Sequence, residues 1–316
     1  METEKTKIAL YAKRTFGEKF NATFDFIKEN WKQLLKYTLY LLLPVSLIQA
    51  LSLNGLMSAA MGMSAMVSNA AAFAGASAMV PFFSYYGLFM IVALVGSVLL
   101  VSLVYAMLRT YNEREERLQG VTLGMLRPML LRNVKRTFLL MLFGMFLLIL
   151  FSLIAGVLVA SLPGDASLLA VFPVIVILFA VVLPLGLWIP AYLLEDLTLI
   201  GSLKKALRIG FATWGGIFAI VFVMGIISGI LQGVTMIPWY IGTIVKYILG
   251  ASSGEGIGDV SVGYSFLLYL LAVVQALGAY FAMIFTLVGL GYQYGHASEK
   301  IDSVMVESDI ANFDKL

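Results

Sequence analysis

The chain has 316 residues, of which 61% are hydrophobic, 13% aromatic and only 12% charged. Apolar content on this scale needs lipid as its solvent; the absence of cysteine removes disulfides, thiol nucleophiles and thiolate metal sites, and the single histidine, His296, rules out a histidine cluster within one chain. A net charge of +3 is accounted for by topology and by anionic inner-leaflet lipid, so nucleic acid is set aside as a partner.

Twenty of the twenty-one Lys and Arg residues fall within 1–36, 109–136, 195–214 and 295–316, and the other is Lys246. These stretches alternate with uncharged apolar runs at about 37–54, 84–108, 137–161, 168–194, 215–238 and 264–294. Each run is near or above the length of about 20 residues that crosses a hydrocarbon core. The expectation is an all-α integral membrane protein with six transmembrane helices. Because Lys-rich and Arg-rich loops stay inside, both termini are placed in the cytoplasm.

The charged first segment precedes the first apolar run, so that run reads as a retained anchor and not a cleaved signal. Within it Phe20, Phe24, Ile27, Trp31 and Leu34 line one helical face, with Glu18, Asp25, Lys28, Glu29 and Lys32 away from it. After the first span comes an uncharged insertion, residues 55–83, expected to form a re-entrant or interfacial element. Its Met57, Met61, Met63 and Met66 have a spacing that could hold Cu(I) through soft thioethers. Packing is the ordinary use of such methionines and is the reading adopted; no metal or cofactor is assigned.

A second basic segment follows the second span, with Leu123, Leu126, Leu130 and Val134 flanked by Arg127, Arg132, Lys135 and Arg136; Pro128 is expected to start its helix. Span four closes on Glu195 and Asp196, carboxylates at a negative helix end that need compensation. Asp196 is expected to cap the next helix, and the pair to meet Lys204, Lys205, Arg132 or Arg136. The third segment sets Leu203, Leu207, Phe211 and Trp214 beside Lys204, Lys205 and Arg208. Span five carries Gly225, Gly229 and Gly233, a small-residue face suited to close helix packing within the bundle or against a second copy. Pro238 is expected to end it and to leave 239–250 at the outer interface, followed by a flexible loop at 254–259. Gln49, Gln232 and Gln275 suit interhelical hydrogen bonds.

Each basic segment is expected to lie in the headgroup plane and then turn into a transmembrane hairpin. This gives a threefold repeat of about 16–109, 122–195 and 198–294 within one transmembrane domain, 1–294, followed by an acidic cytoplasmic tail, 295–316. The anionic-lipid contacts would be Lys28, Lys32, Arg132, Lys135, Arg136, Lys204, Lys205 and Arg208.

The stretch LEDLTLIGSLKKALRIGFATWGGIFAIV, from Leu194 to Val221, and FDFIKENWKQLLKY, from Phe24 to Tyr37, resemble the membrane-domain family attached to some bacterial glycerophosphodiester phosphodiesterases and found in stand-alone relatives. The similar features are Glu195 closing a span, a basic helix with Ala206, Leu207 and Arg208, and Trp214 entering the next span. The resemblance implies membrane architecture, in the cell membrane of a bacterium. It does not imply the hydrolase activity, which in fused members belongs to a soluble barrel.

With no Asp, Glu, Lys, Arg or His inside the six runs and no cysteine, an intramembrane enzyme lacks its nucleophile or acid and base pair. The reading adopted is a non-enzymatic scaffold or accessory subunit that works through membrane lipids and helix packing, with a membrane-protein partner or a second copy. The alternative is a transporter or translocator of a lipid or other apolar substrate, which could manage without midplane charge.

Overall fold

The computed structural model describes residues 7–67, 79–164, 166–253 and 261–304, with side chains except at 63–67, 168 and 250–253. Among these residues every regular element is a helix: α1 (Phe16–Val67), α2 (Met79–Glu113), α3 (Leu123–Ala160), α4 (Ala166–Leu185), α5 (Trp188–Leu194), α6 (Leu199–Ala212), α7 (Trp214–Ser253) and α8 (Val262–Asp302). Six of the helical stretches are long and apolar enough to cross a membrane.

Several helices are longer than the sequence pattern indicates. The first basic segment is continuous with its span in α1, interrupted only at Asn30 (φ −110°, ψ 15°), whose Nδ2 donates to the Phe26 carbonyl at 2.9 Å. α1 then runs on to Val67, so Met57 and Met61 prolong a helix. The expected helix start at Pro128 is incorrect. Thr122 caps α3 by accepting from the Met125 N–H, and the helix passes through Pro128 at the cost of one backbone donor. Pro238 likewise fails to end α7: Trp239, buried, donates from its indole to Asn54 Oδ1 at 2.8 Å and packs on Ala50, Ala272 and Val273. Span four is in turn broken, α4 ending and α5 beginning around Gly186 and Leu187. Pro190 falls in the first turn of α5, where a missing donor is harmless. The Trp188 indole ties the break to α6 through Ser202 Oγ at 3.0 Å.

Of the three basic segments only the third is a separate helix, α6. Their apolar faces also differ. Leu126 and Leu130 are buried in protein, contrary to the expectation of a lipid-facing stripe, whereas Phe24, Trp31 and Phe211 are exposed. In α1 the buried row is instead Lys19, Ala22, Thr23, Phe26 and Asn30.

The chain forms two compact units: Met1–Trp31 with Val101–Gly225 and Phe285–Leu316, and Lys32–Leu100 with Ile226–Ile284. In the first, α3, α4, α5 and α6 pack on one another. Pro184 lies so close to Gly210 that a β-carbon there would come within 2.8 Å of the proline Cα, which is how α4 and α6 meet. In the second, Gly96 leaves room for the Tyr280 hydroxyl, which donates to Gln49 at 2.6 Å. Lipid tails are as apolar as leucine, so such close fits and interhelical hydrogen bonds, more than hydrophobic transfer, hold apolar helices together.

Candidate functional site

Polar chemistry gathers in the first unit, where helix ends meet. Asp196 is its hub. It accepts a bidentate pair from Arg109, at 3.2 and 3.4 Å, and a further contact from Arg132, with Arg136 at 3.9 Å. These hydrogen bonds, from Arg109 and then Arg132, hold its carboxyl at about 2, below the usual carboxylate range. Asp196 does not cap the following helix as expected. Thr198 does, accepting from the Gly201 N–H at 3.1 Å, which frees the aspartate for the arginines.

Arg136 lies over the Tyr192 ring at 3.9 Å and donates to the carbonyls of Tyr192, Glu195 and Leu197. It thereby answers the negative end of α5 with a cation. Glu195 accepts two bonds of 2.8 Å from Lys205 and another from the Tyr294 hydroxyl. Lys205 also reaches Asp302 at 3.4 Å, and Asp302 pairs with Arg208 at 2.8 Å. Tyr11 rests near this cluster, and burial first, then Glu195, pushes its phenol up.

The sequence therefore locates the partners of Glu195 and Asp196 in part. Lys205, Arg132 and Arg136 engage them, while Arg109, Tyr294 and the Asp302–Arg208 pair come from chain segments that spacing could not bring together. Four of the expected lipid contacts, Arg132, Arg136, Lys205 and Arg208, are engaged with protein, and Lys28, Lys32, Lys135 and Lys204 are exposed. Gly225, Gly229 and Gly233 bring nothing together among the described residues, since a β-carbon on any of them would meet no atom within 4 Å. Close packing is made by Gly278 on Thr235 and Gly289 on Met224 and Ile220. Gln49 does bond across helices, whereas Gln232 is exposed and Gln275 half-buried. Met57 packs on the Trp239 cluster; the side chains of Met63 and Met66, the loop 254–259 and the tail 305–316 lie outside the described residues.

A second cluster escaped sequence reading altogether. Residues 7–14 form a strap fastened by Lys7 Nζ to the Asn112 carbonyl (2.6 Å), the Ile8 N–H to the Tyr111 hydroxyl (3.3 Å) and the Arg14 N–H to His296 Nδ1 (2.9 Å). Beside it is a cavity of about 380 Å³ lined by Lys19, Thr213, Gly215, Gly216, Gln293, His296 and Lys300, among others. Lys19 is 5% exposed and donates to Gln293 Oε1 at 2.9 Å. The signal that could have revealed it is the row 19, 22, 23, 26 and 30, which puts a lysine on the buried face of α1.

An apolar pocket of about 250 Å³ lies between α3, α4, α5 and α6, with Gly144, Phe151, Leu178, Trp188 and Leu207 in its wall. Comparison with protein-family models, curated proteins and solved structures finds no match.

Proposed function

We propose that this multi-pass membrane protein is a non-enzymatic scaffold or accessory subunit that works through bound lipid and helix packing. The observation that carries the reading is the fate of the ionisable groups. The charged ones collect at helix ends, where Asp196, Glu195 and Asp302 pair with Arg109, Arg132, Lys205 and Arg208, and the apolar runs of the helices have no Asp, Glu, Lys, Arg or His. Carriers coupled to ions keep such groups at midplane. The resemblance to the phosphodiesterase-associated membrane family, taken as a proposal, agrees with a role carried by the membrane helices.

The same cation distribution supports a topology with both termini inside, and the resemblance to a bacterial family supports residence in a bacterial cytoplasmic membrane. A cysteine placed at position 115 should resist a membrane-impermeant maleimide in intact cells and react after lysis. Labelling from outside would invert the topology.

Translocation of a lipid or other apolar substrate is the second reading, and the apolar pocket beside the broken α4 and α5 favours it. Thermal unfolding of the purified chain with and without native lipid extract, followed by native mass spectrometry, separates the two. A stoichiometric membrane partner supports the accessory role, a single retained lipid species filling a central cavity supports translocation, and no response to lipid removes both.

A further inference from the structure

We propose that the cavity at the start of α7 binds a phosphate group, carried by an anionic lipid headgroup or by free phosphate. The proposal deepens the lipid-binding reading and, for the lipid source, rests on it. The cavity wall carries several donors, beside the last turn of α6. Lys19 and Lys300 supply cations, and no Asp or Glu is among the described residues that line it. Lys19 is buried and its ammonium carries three protons, one directed at a neutral acceptor, Gln293 Oε1. An ammonium out of water calls for an anion.

Gln293 makes the independent case. It is fully buried, and because lysine can only donate, the amide oxygen must face Lys19. Its Nε2 is then the free end of the amide, buried and without an acceptor, on a residue that lines the cavity. His296 Nδ1 accepts from the Arg14 N–H, so in the neutral ring Nε2 is also a donor. The first turn of α7, Trp214 to Gly216, adds the positive end of a 40-residue helix. Gly216 keeps the floor open, since a β-carbon there would lie 2.9 Å from Gln293 Nε2 and 3.2 Å from Lys19 Nζ. Donors converging on one space, with a helix N-terminus and no carboxylate, match an all-acceptor ligand such as phosphate and repel a cation. Phe211 is exposed at the rim, and the rings of Trp214, Phe218 and Phe222 stack at 5.8 and 5.7 Å along α7, a track suited to an acyl chain.

The test titrates the full chain in neutral detergent with inorganic phosphate, short-chain phosphatidylglycerol, short-chain phosphatidylcholine and acetate at matched ionic strength, with thermal shift and calorimetry as readouts. Phosphatidylglycerol or phosphate should bind saturably. Lys19→Met, Gln293→Leu and the exposed Lys300→Gln should each weaken binding about tenfold, the loss of one charge-assisted or buried hydrogen bond. Arg114→Gln should leave affinity unchanged. Tighter binding of phosphatidylglycerol than of inorganic phosphate and phosphatidylcholine assigns a lipid source; equal binding of phosphate assigns a free one. Should Lys19→Met unfold the chain, Lys300→Gln and Gly216→Ala decide the matter. Equal binding by acetate, unchanged affinity in Lys300→Gln, or binding that appears only after deletion of residues 305–316 overturns the site. If native lipid extract still stabilises the chain then, the lipid reading survives without it.

Discussion

Lys205 is the cation between two carboxylates, and replacing it tests whether the charged helix ends hold the first unit together. Its side chain is 15% exposed, Glu195 is 20% and Asp302 17% exposed. Breaking a fully buried pair costs about 3–5 kcal/mol, and an exposed one about 0.2–1 kcal/mol. In Lys205→Met, Asp302 keeps Arg208 and Glu195 keeps the Tyr294 hydroxyl, so the cost should fall between these ranges, at about 2 kcal/mol. That is roughly a thirtyfold change in the unfolding equilibrium. Equilibrium unfolding in mixed micelles of neutral detergent and dodecyl sulfate, followed by helicity, measures it. Adding Glu195→Gln should recover part of the loss, giving a coupling of about 1 kcal/mol in the double-mutant cycle. If Lys205 serves lipid and not protein, Lys205→Met will match the parent in lipid-free micelles and the cycle will be additive. Either result refutes the reasoning.

Asp196 supplies a pH dependence of known sign. Its folded carboxyl sits at about 2 against an ordinary 3.8, so its contribution is complete above the ordinary value and disappears as pH falls through the folded one. The parent should therefore lose more stability from pH 4 to pH 2 than Asp196→Asn, by about 1 kcal/mol or less because the side chain is 61% exposed. Identical pH profiles would count against the arginine hub. Gly295→Ala places a β-carbon onto the Leu10 carbonyl oxygen and should cost about 1–3 kcal/mol. Gly229→Ala, with open space around it, should stabilise by about 0.5–1 kcal/mol, and a loss there would reveal a packing partner. Tyr280→Phe removes the donor to buried Gln49 and should cost about 0.5–1.5 kcal/mol in the same unfolding assay, with no change if the bond is idle.

The helical membrane architecture was legible because hydropathy is a property of the residues themselves. Boundaries were less so. Thr122, not Pro128, starts α3, and α7 runs through Pro238 with Trp239 buried beyond it, because a membrane helix tolerates proline where neighbouring groups re-satisfy the freed backbone. The glycine face at 225, 229 and 233 has the spacing of a packing motif, yet spacing says nothing about which neighbour arrives.

Length, hydropathy and the clustering of cations belong to the linear chain, so six apolar helices and charge confined to their ends are settled before folding. Which charge meets which is not. Arg109 reaches Asp196 across 87 positions and Lys19 reaches Gln293 across 274. Hydrogen bonds act over a few ångströms of space, and distance along the chain has no bearing on them, so only the packing of the helices could bring a buried lysine, an unsatisfied amide and a helix N-terminus around one cavity.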